Sequence, residues 1–155
     1  MILREEHRDL FTVPKDYMLV HCISADFVMG AGIAKEFTKF GVKRTLQTND
    51  TYTAIKDKVG CCFITNATNW EAECNLVTKE KYWQKPTYDS LRKSLETLCS
   101  QVYNKTNLIF YNKANIKLAM PRIGCGLDRL KWSNVKTIIE EVFAGTDIEI
   151  LVCVK

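Results

Sequence analysis

The sequence has no Cys-x-x-Cys pair and only two histidines, His7 and His21, both near the N-terminus. Without paired ligands at metal spacing, no zinc site is expected. No apolar run approaches the roughly 18 residues that a membrane-spanning helix needs. The opening stretch MILREEHRDL lacks a basic region followed by a long apolar one, so it does not read as a signal peptide. No Lys/Arg block is dense enough for a nucleic-acid footprint, and no GxxxxGK[ST] motif marks a P-loop. Repeats, low-complexity tracts and linker-like segments are missing too. The expectation is an intracellular chain with no membrane association.

What is present fits one globular domain spanning residues 1–155. Hydrophobic residues make up 46% and charged residues 26% of the chain, enough for a real core and too apolar for disorder. The seven cysteines, at 22, 61, 62, 74, 99, 125 and 153, are odd in number. Most lie inside apolar runs such as VHCIS, GCCFIT and ILVCV. They read as small buried hydrophobes in a reducing compartment. A net charge of +4 is compatible with an anionic ligand without indicating one.

Short apolar runs at 17–23, 61–65, 75–79, 116–121 and 148–154 predict strands. The polar stretch 66–74 can serve as a hairpin loop between the second and third. In the last run Ile148, Ile150 and Val152 alternate with Leu151 and Cys153, so apolar side chains point both ways and the strand is expected to be covered on both faces. Tyr88, Leu91, Leu95, Leu98 and Val102 step by three and four residues and predict a helix over 87–103, capped by Thr87. Val135, Ile138, Ile139, Val142 and Phe143 predict another over 133–144, with Ser133 as N-cap and Gly145 as terminator. A short helix is expected over 32–40, stopped by Gly41. Residues 104–115 are ambiguous between a helical turn and a strand. Interleaved strands and helices favour a three-layer α/β/α domain with a mixed central sheet, whose ligands bind beyond the carboxyl ends of the strands.

Two glycine loops sit at such places. Gly30-Ala31-Gly32 follows the strand YMLVHCI, and Gly124-Cys125-Gly126 follows IKLAMP. Free N–H groups in a glycine loop make a concave anion site, and two such loops side by side can hold a diphosphate. Either loop alone reads equally as a tight turn.

The ordered set RDLF, HCIS, MGAGIA, VTK, KPTY, SLE, MPRIGCGLDRL and IEEVF resembles the macro domain family. More narrowly, it resembles the branch of terminal ADP-ribose protein glycohydrolases, from residue 8 to the C-terminus. The resemblance implies ADP-ribose as ligand and hydrolysis of ADP-ribosyl bonds as activity. Asp9 matches the acidic residue that accepts the adenine amino group, and Leu10 follows at the position whose backbone reaches adenine. The residue before this Asp is usually Gly in the family and is Arg8 here. Met29, Gly30, Ala31, Gly32 and Ile33 match the first phosphate loop. Arg122, Ile123, Gly124, Cys125, Gly126 and Leu127 match the second. Ser24 stands where many macro domains have Asn, and either bonds the distal ribose or caps a turn.

The branch's catalytic pair falls on Lys79 and Asp128. Cleavage at the anomeric carbon passes through an oxocarbenium-like state, which one nucleophile and one acid/base can serve without a metal or other cofactor. On its own Lys79 would read as a surface lysine in TKEKYWQK, and Asp128 as a surface carboxylate near a helix. The expected substrates are proteins carrying ADP-ribose on acidic side chains, with O-acyl-ADP-ribose, ADP-ribose 1''-phosphate and ADP-ribosylated nucleic acid as relatives, although nothing in the charge indicates nucleic acid. A non-catalytic ADP-ribose reader is the alternative class. The chain is expected to be a monomer. Tyr82, Trp83 and Trp132 lie near the two segments without an assigned role, and the loop 66–74 around Trp70 is the expected mobile lid.

Overall fold

The computed structural model describes residues 1–103 and 115–155. The ambiguous stretch beginning at residue 104 therefore lies, through residue 114, outside the described residues. Six strands form one sheet: β1 (Ile2–His7), β2 (Met18–Ser24), β3 (Cys62–Thr65), β4 (Ala72–Lys79), β5 (Lys117–Met120) and β6 (Glu149–Val154). Their order is β1-β6-β5-β2-β4-β3, with every neighbouring pair parallel except β3–β4. Among the described residues five helices cover it: α1 (Gly32–Phe37), α2 (Val42–Thr48), α3 (Asp50–Ala54), α4 (Tyr88–Tyr103) and α5 (Trp132–Val142).

Alternation along the central strands builds two cores. Met18, Val20, Leu118, Met120, Ile150 and Val152 pack with Leu91, Leu95 and Leu98 of α4 and with Val135 and Ile139 of α5. Leu19, Ile23, Val77, Ala119, Leu151 and Cys153 pack with Phe37 of α1 and with Val42 and Leu46 of α2. Both faces of the sheet are thereby covered, which gives the expected three layers.

Several local expectations are refined. Thr87 does cap α4: Ser90 N donates to Thr87 Oγ1 at 3.0 Å, and Thr87 N donates back to Ser90 Oγ at 3.1 Å. Ser133 is not the cap of α5; the helix starts at Trp132 behind Lys131, with no side-chain cap bond. The helix expected over 32–40 ends at Phe37 and tightens into a 3-10 turn, Thr38–Phe40, before Gly41 turns left-handed at φ 82°. Strand β4 begins at Ala72, three residues before the predicted start, which shortens the hairpin loop. That loop is not a lid. Trp70 is buried, its indole N–H donates to Val13 O at 3.2 Å, and it lies at the start of β4, opposite the end that carries Lys79.

A buried polar chain crosses the sheet between α1 and this hairpin. His21 stacks on Phe37 at 3.7 Å between ring centres. The Asn75 amide donates to Phe63 O and Thr65 Oγ1, so its carbonyl accepts from His21 Nε2 at 2.6 Å. Thr65 in turn approaches the Glu73 carboxyl at 3.4 Å. Burial drives the His21 imidazole down to about 4, against the bond to Asn75. It pushes the Glu73 carboxyl up to about 7, against the bond to Thr65. Glu73 also borders a cavity of about 290 Å³ with Lys39, Phe40, Asn69 and Trp70.

These shifts give opposite pH dependences. The His21 value is lowered from 6.5, so its contribution is present above pH 6.5 and lost as pH falls to about 4. The Glu73 value is raised from 4.5, so its contribution is present below pH 4.5 and lost as pH rises to about 7. Glu73→Gln removes the second loss. Between pH 5 and pH 8 the His21 gain and the Glu73 loss oppose each other in the wild type, whereas in the variant the gain stands alone. Urea unfolding is expected to show stability rising from pH 5 to pH 8 by about 2 kcal/mol more in the variant than in the wild type, after allowing for water in the cavity.

Candidate active site

Four segments emerge where the parallel strands end: residues 8–12 after β1, 25–31 after β2, 80–87 after β4 and 121–131 after β5. The sheet order sets them in a row. Asp9 stands at the β1 end, the two glycine loops over β5 and β2 in the middle, and Lys79 at the β4 end. The row spans four strand spacings, about 19 Å.

At the first end, Asp9 accepts from Phe11 N at 3.0 Å and pairs with Lys155 at 3.1 Å. The backbone bond, then Lys155, hold its carboxyl below the usual range. Arg8, in the place of the expected Gly, folds over the turn and donates to Thr12 O at 2.8 Å. Leu10 is buried in the core, so only its backbone is available.

The β2 loop is shaped by residues that carry no glycine signal. Phe27 and Met29 both take left-handed φ, 56° and 50°, with their side chains buried. Such a backbone costs on the order of 1–2 kcal/mol per residue. Asp26 holds it in place: its carboxylate accepts from Ser24 Oγ, from Val28 N at 3.2 Å and from Tyr82 N at 2.9 Å. Burial pushes this carboxyl up, but the bonds from Ser24, Tyr82 and Val28 outweigh it and leave it below the usual range. The hydroxyl of Ser24 thus serves the turn. Of the predicted loop residues, Gly30, Ala31 and Gly32 are exposed, Ile33 is half-buried and Met29 offers only backbone. No side chain caps the start of α1, which leaves its first N–H groups free.

The β5 loop folds against the first. Gly32 has φ 60°, and a methyl group there would meet Leu127 Cδ1 at 3.3 Å. Gly124 has φ 73°, and its added carbon would lie 3.0 Å from Leu130. Each glycine pair thus has one member required by backbone shape and contact. The other member, Gly30 or Gly126, has φ outside the left-handed range. Ile123 is buried, and Cys125 is half-buried with its thiol raised by burial. Arg122 contributes its backbone, since Cys125 N donates to its carbonyl. Its guanidinium instead reaches Glu5 at 3.1 Å and lies over the Trp132 ring at 5.6 Å. Neither side chain joins the row.

At the far end, Lys79 Nζ donates to Asp128 Oδ1 at 2.8 Å. The two side chains are 15% and 16% exposed, so the pair is open to a ligand yet mostly desolvated. Asp128 is aimed by a turn in which Arg129 N donates to Gly126 O and Leu130 N to Gly124 O, with Arg129 left-handed at φ 63°. Lys79 is fixed by β4 and by Ala25 N donating to its carbonyl at 2.8 Å. Cys22 lies within electrostatic reach. Burial, then the Asp128 charge, push its thiol up to about 12, against the nearby Lys79 charge. Sequence reasoning missed Asp26, for which the S-x-D spacing of a side-chain-capped turn was the available signal, while Cys22 is the core-packed cysteine expected of VHCIS.

A protein-family model for the macro domain matches residues 20–139. The ADP-ribose glycohydrolase OARD1 of Bos taurus is 44% identical over 148 residues, covering 93% of this chain and 86% of that protein. The Homo sapiens protein of the same name is 43% identical over 148 residues with the same coverage. Among solved structures, the macrodomain of Thermus aquaticus DarG superposes with a TM-score of 0.73 at 22% identity, over 98% of this chain and 97% of that one. Thermosipho africanus DarTG in complex with ADP-ribose gives 0.71 at 17% identity, over 97% of this chain and 41% of that one. With this sheet order, these paired loops and matches over most of its length, the chain belongs to the macro domain family.

Proposed function

We propose that the chain hydrolyses the ester bond between ADP-ribose and acidic side chains of proteins, and related small esters such as O-acyl-ADP-ribose. The observation that carries this reading is the Lys79–Asp128 contact of 2.8 Å at the end of the row of anchors. The curated relatives named ADP-ribose glycohydrolase support the reaction class. Adenine sits at Asp9, the diphosphate lies across the two glycine loops, and the distal ribose presents C1'' to the pair.

The chemistry follows from the hydrogen bond. Proton transfer from Lys79 to Asp128 along it yields a neutral amine and a carboxylic acid. The amine attacks C1'' as the C1''–O bond breaks, its electron pair leaving with the acceptor carboxylate, which takes the proton from Asp128. Water then displaces Lys79 from C1'', Asp128 accepts the water's proton, and return of that proton to Lys79 restores the pair. The glycine-loop N–H groups hold the diphosphate throughout, which keeps the reacting carbon in place.

In a release assay on automodified polymerase, Asp128→Ala is expected to abolish turnover, a loss of at least 10²-fold, while calorimetry shows that ADP-ribose binding persists. Lys79→Ala is expected to lower the rate sharply; an unchanged rate removes it from the mechanism. Wild-type protein that binds ADP-ribose but releases it from none of these esters is a reader. In Asp26→Asn an amide N–H donor faces one of the loop's N–H donors, or the loop lets go of it. At about 1–3 kcal/mol for the lost bond, kcat is expected to fall about tenfold with the melting temperature down by several degrees, as followed by single-turnover kinetics beside a thermal scan.

A further inference from the structure

Among the described residues six large hydrophobic side chains are exposed, and three of them border the Lys79–Asp128 pair: Tyr82 at 60%, Trp83 at 68% and Leu127 at 62%. Tyr82 and Trp83 are the two central residues of a turn. Gln84 N donates to Lys81 O at 3.0 Å, and Lys81 N donates to Gln84 Oε1 at 2.9 Å. The turn is also pinned from both sides, by Tyr82 N on Asp26 and by Lys85 Nζ on Leu127 O at 2.7 Å. The two rings are therefore displayed on a braced backbone, and neither stacks on another ring among the described residues. Rigid exposed aromatics cost apolar hydration and little ordering entropy on contact, the character of interface anchors.

Their position gives the surface a use. The row runs from Asp9 through the two loops to the pair, so the leaving group departs beyond Lys79, on the side of the segment 80–85. Outside the pair itself, residues 80–85 and 127–131 carry Lys81, Lys85, Arg129 and Lys131 against the single carboxylate of Glu80. We infer that Tyr82, Trp83 and Leu127, with Lys81 and Arg129 around them, form the docking surface for the acceptor polypeptide. The surface favours segments with an apolar residue and further carboxylates beside the modified side chain. This rests on the ester-hydrolase reading, which makes the acceptor an acidic side chain. The charge complementarity then selects an acidic segment as occupant.

The test compares two substrates that share ADP-ribose and differ in acceptor. One is a glutamate-linked ADP-ribosyl peptide with acidic and apolar flanks; the other is O-acetyl-ADP-ribose, which has no polypeptide. In the Tyr82→Ala/Trp83→Ala double variant, kcat/KM on the peptide is expected to fall about tenfold, chiefly through KM, with the acetyl ester turned over at the wild-type rate. Lys81→Glu is expected to lower peptide turnover and reduce its sensitivity to salt. An unchanged peptide rate, or an equal loss on both substrates, overturns the proposal. So does binding of a single-stranded oligonucleotide, but not of the unmodified peptide, that is lost in the double variant. Should wild-type protein cleave neither ester, the hydrolase reading fails by itself. Calorimetry then decides the surface: tighter binding of the ADP-ribosyl peptide than of ADP-ribose supports it only if the double variant removes the difference, and equal binding in wild type overturns it.

Discussion

The contact between Lys79 and Asp128 joins the ends of two strands that are not neighbours. β4 carries the lysine, the loop after β5 carries the carboxylate, and β2 runs between them. The loop leaving β2 must therefore pass beneath or around the contact without filling it. Its left-handed Phe27 and Met29 achieve this by turning two large side chains down into the core and leaving backbone at the surface. Asp26 then fastens the loop to the segment that follows Lys79. The first glycine loop and the Lys79–Asp128 pair are thus one braced unit, and strain in the first is offset by bonds that also orient the second.

The same economy governs the second loop. Leu127 rests on Gly32, while its carbonyl takes the Lys85 ammonium and its neighbour is Asp128. One residue thereby touches the first glycine loop, the segment after β4 and the Asp128 backbone. Further along, Tyr88 Oη accepts from Lys131 N at 3.1 Å and from the Asn134 amide at 3.2 Å, which ties the end of the loop to the start of α4. A site assembled from four loops gains its rigidity from such cross-ties, since loop backbone alone supplies little.

Much of this was legible because the central strands are apolar on both faces and the long helices have clean stripes. Strand β1 was not: ILREEH is an edge strand whose exposed side chains, including Glu5 with its ion pairs to Arg122 and Lys136, hide the pattern. Helices α2 and α3 run seven and five residues, too short for a periodic stripe to register. The glycine pairs announced the cradles, yet the residues that bend the first loop, Phe27 and Met29, belong to types that seldom adopt positive φ. Lys79 was indistinguishable by local sequence from the other lysines of its segment. Only the register that sets it beside Ser24, at the end of β4, gives it a carboxylate partner.

An ion pair that is 15% and 16% exposed holds a balance that the proposed chemistry needs. Fully solvated, each charge would gain little from its neighbour. Fully buried, the pair would cost several kcal/mol to desolvate and leave no room for a sugar. In the proposed reaction a ligand that displaces the remaining water favours proton transfer along the contact, because the transfer cancels both charges just as solvation is withdrawn. The anchors at the far end of the row, Asp9 and the two loops, make no contact with the reacting atoms. In that proposed reaction their part is to supply binding energy that drives water from the pair, and so the distance between adenine and anomeric carbon becomes a condition for turnover.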